Sequence, residues 1–305
     1  VRAAAFWLRN ALHLSTLLHL LPVESGEIGT FAHYGAPNNI LASSASSTAS
    51  ASALSTRLAA KLSKDVALLT TELFGSLLKI AKDRLEKLIT PSLIDYDGQA
   101  RRGFGFGLLP RLMAAPLTPQ SLTAVLADIG AALTFSHVDS VTCQQVFSSA
   151  LFYIGGFLLN QLLLRRDLCR PRKTQILLHN IALVVQWCNE NGRSEAALHL
   201  NPVMQACGLF QLDLARGVGI EDVTDTCFLL SSAQIYKLLS NYRTDDQEQG
   251  VAGQLLGAIN RTAVQEGGSI LCDTIAGHAR YEPPEAGGGG RRRRRTCRRG
   301  CISNV

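Results

Sequence analysis

Between Asp139 and Arg165 the chain runs for 25 residues without a charge, SVTCQQVFSSALFYIGGFLLNQLLL, and then steps into Arg165, Arg166 and Asp167. A segment of this kind becomes either a bilayer span with a basic flank or a helix buried on nearly every side. Length alone permits the span, because about 20 apolar residues cross a bilayer. Composition leans toward the core. The run contains Gln144, Gln145, Ser148, Ser149, Asn160 and Gln161, and its strongly apolar centre, Ala150 to Leu159, is ten residues long. Gly155 and Gly156 would let a neighbouring helix approach closely in either solvent. Arg165 and Arg166 have two readings of equal weight. They either complement the carbonyl end of a helix, with Asp167 pairing to Arg166 or starting the next turn, or they line a surface that binds something.

The rest of the chain shows helical periods and no sustained two-residue alternation, so the expected fold is all-α. Trp7, Ala11, Leu14, Leu18 and Leu21 recur on one side of a helix that Pro22 ends. Leu62, Val66, Leu69, Leu73, Leu77, Ile80, Leu85 and Leu88 form the stripe of a long helix, closed by Thr90-Pro91. Further stripes run through Leu122 to Leu133 and Ile176 to Trp187, the latter stopped by Asn191-Gly192. Three more helices are expected over 203–212, 223–242 and 250–272. Residues 42–53 contain only Ala, Ser and Thr and read as a flexible surface loop. Residues 95–119, rich in Gly, Pro and paired arginines, read as a second loop. Their GFGFG lacks the Gly-Lys-Ser/Thr of a phosphate loop.

The formal charge of +6 invites a nucleic-acid reading, but residues 291–305 hold seven arginines and no acid. The remainder has 23 Lys+Arg against 24 Asp+Glu, a net of −1, so any pull on polyanions sits in the last fifteen residues. Without interleaved aromatics those arginines offer unspecific charge, and no specific nucleic-acid partner is expected. Eight cysteines show no CxxC pair and no His at ligand spacing, which argues against a zinc site or a disulfide framework. Cys143, Cys188, Cys207, Cys227 and Cys272 sit in apolar surroundings and read as small buried thiols of a reducing cytosol. The opening VRAAAFWLRNALHLSTLLHLL has Arg9, Asn10 and His13 where a signal peptide needs an apolar stretch, and no Met precedes it, so residue 1 reads as the edge of a fragment. Cys301 stands one position too early for prenylation.

No nucleophile elbow, zinc-protease motif or dinucleotide fingerprint is present, and no catalytic, cofactor-binding or metal-binding residue is expected. The densest basic cluster of the body is Arg165, Arg166, Arg170, Arg172 and Lys173, the candidate rim for an acidic partner.

LFYIGGFLLNQLLLRRDLC resembles the signature helix of the dilute domain in the globular tail of class V myosins, where an aromatic apolar helix runs through Asn and leucines into a basic, acidic and Cys step. Collinear segments extend the resemblance over about residues 4–260: AFWLRNALHLSTLLHLL, LFGSLLKIAKDRLEKLITPSLI, HNIALVVQWCNENG, LNPVMQACGLFQLD and LLSSAQIYKLLSNYRTDD. The resemblance implies an elongated multi-helix bundle over 1–275 and decides for a water-soluble core helix over a transmembrane span. It implies binding of cargo adaptors and small-GTPase systems, folding back on a motor head for autoinhibition, and dimerisation through an upstream coiled coil. It also implies a cytoplasmic place on actin and vesicle or organelle surfaces, with any ATPase motor outside this chain. The alternative within the resemblance is a non-motor scaffold linked to small GTPases. RPRKTQILLHN departs from the family after Arg170, keeping Gln175, Ile176 and Asn180 in place. Residues 276–305 replace the family's last part and read as a disordered Gly/Arg-rich tail or a gene-model artefact. Apolar faces left exposed by that replacement predict poor solubility.

Overall fold

The computed structural model of the protein describes residues 1–20, 42–98, 117–214, 218–244, 251–273 and 281. Among them the chain is helical and contains no strand. The order is α1 (Arg2–Leu20), α2 (Ala42–Ile89) continued by a π-turn Thr90–Ile94, α3 (Pro119–Phe135) and α4 (Ser140–Leu164). A 3₁₀ turn Arg166–Leu168 leads to α5 (Pro171–Glu190), α6 (Ser194–Ala197), a 3₁₀ turn Leu198–Leu200 and α7 (Asn201–Leu209). The last three are α8 (Ile220–Thr226), α9 (Ser232–Asn241) and α10 (Gly253–Glu266).

The uncharged run is α4, and the two charged residues that bound it are its caps. Asp139 takes the N-cap, its carboxylate accepting from the Thr142 amide at 2.8 Å, and Arg165 takes the C-cap. Each charge has the sign that the exposed amides or carbonyls at that end favour. Between them, Leu151, Ile154, Leu158 and Leu162 are buried on one side and Val146, Leu159 and Leu163 on others. Helices α2, α6, α7 and α9 pack around it. Length and hydropathy would let α4 cross a membrane, yet most of its apolar window is covered by the rest of the protein. Gly155 is where α4 meets the 3₁₀ turn after α6, and a Cβ there would collide with the His199 carbonyl. The close approach expected of the glycine pair is therefore real at Gly155.

Several expectations are corrected. Residues 42–53 are helical, forming the start of α2 rather than a loop. Alanine is the strongest helix former, and the stretch has no Gly or Pro to stop the helix that the leucine stripe nucleates downstream. The expected faces of α1 and α2 are also rotated. In α1 the fully buried positions are Ala5, Leu8 and Ala11, whereas Trp7 and Leu14 face outward. In α2 the core takes Val66, Phe74, Leu77, Leu78, Ala81, Leu85 and Ile89, and leaves Leu62, Leu69 and Ile80 exposed. Both helices carry apolar residues on more than one side, so the period fixes a helix without choosing its inner face.

The helix expected over 223–242 is two, because Ser231 and Gln234 form a capping box that starts α9 afresh. The helix expected over 250–272 ends at Glu266, where Gly267 and Gly268 adopt φ of 64° and 114°. Asn191-Gly192 stops α5 as expected, with Gly192 at φ 67°. Pro91 does not close its segment, and the backbone continues as a π-turn to Ile94. Buried Asn180 of α5 then donates to the Leu93 and Tyr96 carbonyls at 2.9 and 2.7 Å, pairing acceptors that the turn leaves open. The loop expected over 95–119 lies outside the described residues for 99–116, and its last residue, Pro119, begins α3.

Candidate partner-binding turn

The basic cluster lies where α4 ends and α5 begins. Its base is fixed by contacts that come from four parts of the chain. The Cys169 thiol points back under α4 and donates to the Leu162 carbonyl at 3.2 Å, with the Arg165 carbonyl at 3.6 Å. Burial pushes that thiol up to about 12, so it stays a neutral donor. The Arg243 amide, just past α9, donates to the Cys169 carbonyl at 3.0 Å. Gln211, after α7, donates to the Pro171 carbonyl at 3.1 Å and to the Thr174 hydroxyl at 3.0 Å. Leu168, Cys169 and Thr174 are buried beneath the charged side chains.

Above this base the five predicted residues are brought together, though not as equals. Arg165 is tied to Asp167 by two hydrogen bonds, 2.7 Å from Nη2 and 3.3 Å from Nε. The pairing expected for Asp167 with Arg166 is thus made by Arg165 instead, because Arg165 is the extended cap residue that faces back across the 3₁₀ turn. The Arg165 guanidinium holds the Asp167 carboxyl below its usual range. Arg166, Arg170, Arg172 and Lys173 are exposed. Arg166, Arg170 and Lys173 form no salt bridge with a described residue.

Position makes this cluster informative. Arg170 is the N-cap of α5 and Arg172 and Lys173 lie in its first turn, with no acidic residue there. Helix amides present a partial positive charge at that end, which disfavours cations by a few tenths to about 1 kcal/mol each. The helix end therefore does not account for them, whereas an anionic partner would gain from both the side chains and the helix end. Two further residues of this neighbourhood were missed from sequence, Arg243 and Lys237, which approach across α9. They are some 70 residues away in the chain, and only the α9 contact with α4 reveals them. Cys169 was missed as well, since it follows a charged triplet. It is buried, while Cys272, expected inside, is half-exposed.

Metal chemistry has no footing among the described residues, where no group of three potential ligands gathers. The buried thiols are held neutral, Cys188 at about 11 and Cys227 at about 12. The Gly/Arg stretch lies outside the described residues.

Comparison with known proteins places this architecture. Residues 145–246 match the DIL domain family. Human unconventional myosin-Va is 24% identical over 246 residues, 78% of this chain and 12% of its own length. Myosin-2 of Lachancea kluyveri is 28% identical over 120 residues, 39% of this chain and 8% of its own. The chain thus spans about a tenth of the curated myosins it matches. Among solved structures, the myosin V cargo binding domain superposes with a TM-score of 0.65 at 19% identity, covering 90% of this chain and 65% of that one. The tail of Myo2 in complex with Inp2 gives 0.69 at 17% identity, covering 90% and 64%. The same Myo2 tail has been solved with Mmr1 and with Smy1. At these identities the superpositions show the fold, that of the class V myosin globular tail. The matched family model and solved structure are those of tail domains.

Proposed function

We propose that this chain is a cargo-adaptor-binding module of the class V myosin type, and that the turn from Arg165 to Lys173 is a rim that reads acidic partners. The observation that carries the site is the exposed charge of Arg166, Arg170 and Lys173, none in a salt bridge with a described residue, against the positive end of α5, on a base fixed by Cys169, Gln211 and Arg243. Support for the module comes from the Myo2 tails, which share the fold and were solved with Mmr1, Inp2 and Smy1. The buried cluster runs from Ala5 in α1 to Ile259 in α10, which supports the helical residues as one unit, and Tyr281, past the proposed bound at 275, packs against Phe74 of that cluster. In this reading the module sits in the cytoplasm and links vesicles or organelles to an actin-based motor. Small-GTPase systems, contact with a motor head and dimerisation through an upstream coiled coil complete it.

The test uses fragments of Inp2, Mmr1 and Smy1 as probes, titrated against the chain and against Arg166→Glu/Arg170→Glu/Lys173→Glu. At least one probe is expected to bind, and reversal should weaken it by tenfold or more, with the difference shrinking as salt rises. Failure of all three to bind would remove the adaptor reading for these partners. Binding that reversal leaves unchanged would remove the rim alone.

A further inference from the structure

After Gly267 the chain leaves α10 and passes across α4 and α9 as a non-helical strap. Asn160 of α4 donates through Nδ2 to the Cys272 carbonyl at 2.9 Å, and the Cys272 amide donates back to Asn160 Oδ1 at 2.8 Å. One side-chain amide thus uses both its polar ends on the main chain of a single residue, as a neighbouring β-strand would. Gln234 of α9 donates to the Ile270 carbonyl at 3.1 Å and reaches Cys272 Sγ at 3.5 Å. Ile270 is 41% and Leu271 44% exposed, and the apolar contact of this part of the chain with the core is made by Cys272 and, farther on, by Tyr281. Asp273, the next residue, acts on Lys82 of α2, pushing up an ammonium pKa that burial lowers.

Two properties follow from this geometry. The site reads the spacing of an amide and two carbonyls, which any extended peptide supplies, followed by a carboxylate for Lys82. Gln234 is buried beneath the strap, and its Oε1 accepts from the Ser231 amide, which holds the side chain so that its Nε2 faces a carbonyl of whatever segment lies there. A peptide that supplies the same amide and carbonyls can therefore replace the strap without loss of these hydrogen bonds. We infer that Asn160 and Gln234 form a main-chain-reading peptide site, filled here by the chain's own Ile270–Cys272, which an extended segment of a partner protein takes by displacing the strap. The partner segment carries a residue other than proline opposite Asn160 and an acidic residue directly after it, as Asp273 follows Cys272. This site is separate from the basic turn and stands without it.

The experiment uses the full chain under reducing conditions and a fluorescent peptide GGSILCDT, the strap's own sequence over 267–274. Cys272→Pro removes the amide that Asn160 accepts from, and a second variant with Ile270–Cys272 replaced by Gly-Ser-Gly opens the site without a proline. Either variant is expected to bind the peptide at least about tenfold more tightly than the unaltered chain, whose site is occupied. Adding Asn160→Ala, or methylating the peptide's cysteine amide, should each reverse that gain, and replacing the peptide's Asp by Asn should weaken binding several-fold. Absence of binding to both strap variants would overturn the inference. So would binding that is indifferent to Asn160→Ala and to amide methylation.

Discussion

Helices α4 and α2 are both long and leucine-rich, yet they meet their surroundings in opposite ways. In α4 the buried residues run nearly all round the helix, and its charges are confined to the caps. Among the described side chains of α2, those inserted into the core begin at Val66, and Leu54, Leu58, Leu62, Leu68 and Leu69 stand exposed. On α1, which packs along α2, Phe6, Trp7, Leu14 and Leu17 are exposed too. A helix that is apolar on every side has no inner face to choose. A helix with two apolar faces has its inner one chosen by neighbours that are distant in sequence.

The largest effect is expected in α4. Leu158→Ala removes a fully buried side chain and should cost about 2–5 kcal/mol in denaturant unfolding. A loss of less than about 1 kcal/mol would mean that α4 is not the packed centre. Next comes the well-packed end of α2. Asn180→Ala leaves the Leu93 and Tyr96 carbonyls without their side-chain donor and should cost about 1–3 kcal/mol by the same measurement. A neutral result would show that water replaces the amide.

The thiol at the end of α4 gives a test by pH. Burial raises Cys169 and Cys227 to about 12 and Cys188 to about 11, from an ordinary value of 9.0. A folded-state pKa above the unfolded value means that the thiols' contribution is whole below pH 9 and is lost as pH climbs through 11 to 12. Unfolding free energy should therefore fall above pH 9 less steeply in a Cys169→Ser variant, where one such group is gone. Rapid alkylation of native Cys169 at pH 8 would contradict this. The smallest stability change belongs to the outer face of α2. Leu58→Ser/Leu62→Ser should move stability by no more than about 0.5 kcal/mol per site while raising the concentration at which the chain stays monodisperse in light scattering. A loss like that of Leu158→Ala would show that this face is packed inside.

The same contrast explains what could be seen in the sequence. The all-helical fold, the glycine contact of α4 and the stop after α5 follow from local composition and from turn residues such as Gly192, whereas for the burial of α4 composition only leans toward the core and the dilute-domain resemblance decides. Asp139 and Arg165 marked the ends of the run before their capping roles were known. The inner faces of α1 and α2 were misjudged because several leucine registers are equally periodic. The break before α9 rests on the Ser231–Gln234 capping box, whose Ser-x-x-Gln spacing is present in the sequence. At the basic turn the five cations were visible as a cluster in the chain. Arg243, Lys237 and the Cys169 thiol beneath them were not, since α9 reaches that turn only through tertiary packing. Asn160 was read as one polar residue in an apolar run, and its partner Cys272 lies 112 residues away.

The most direct test is amide hydrogen exchange on the chain with and without a bound adaptor fragment, using whichever of Inp2, Mmr1 or Smy1 binds. Protection should rise over 165–173 and 237–243 on binding, while the slow amides of α4 from Val146 to Leu163 stay as they were. Protection that instead appeared only on the outer face of α1 and α2, with the basic turn unchanged, would place the partner on the exposed leucines and contradict the site.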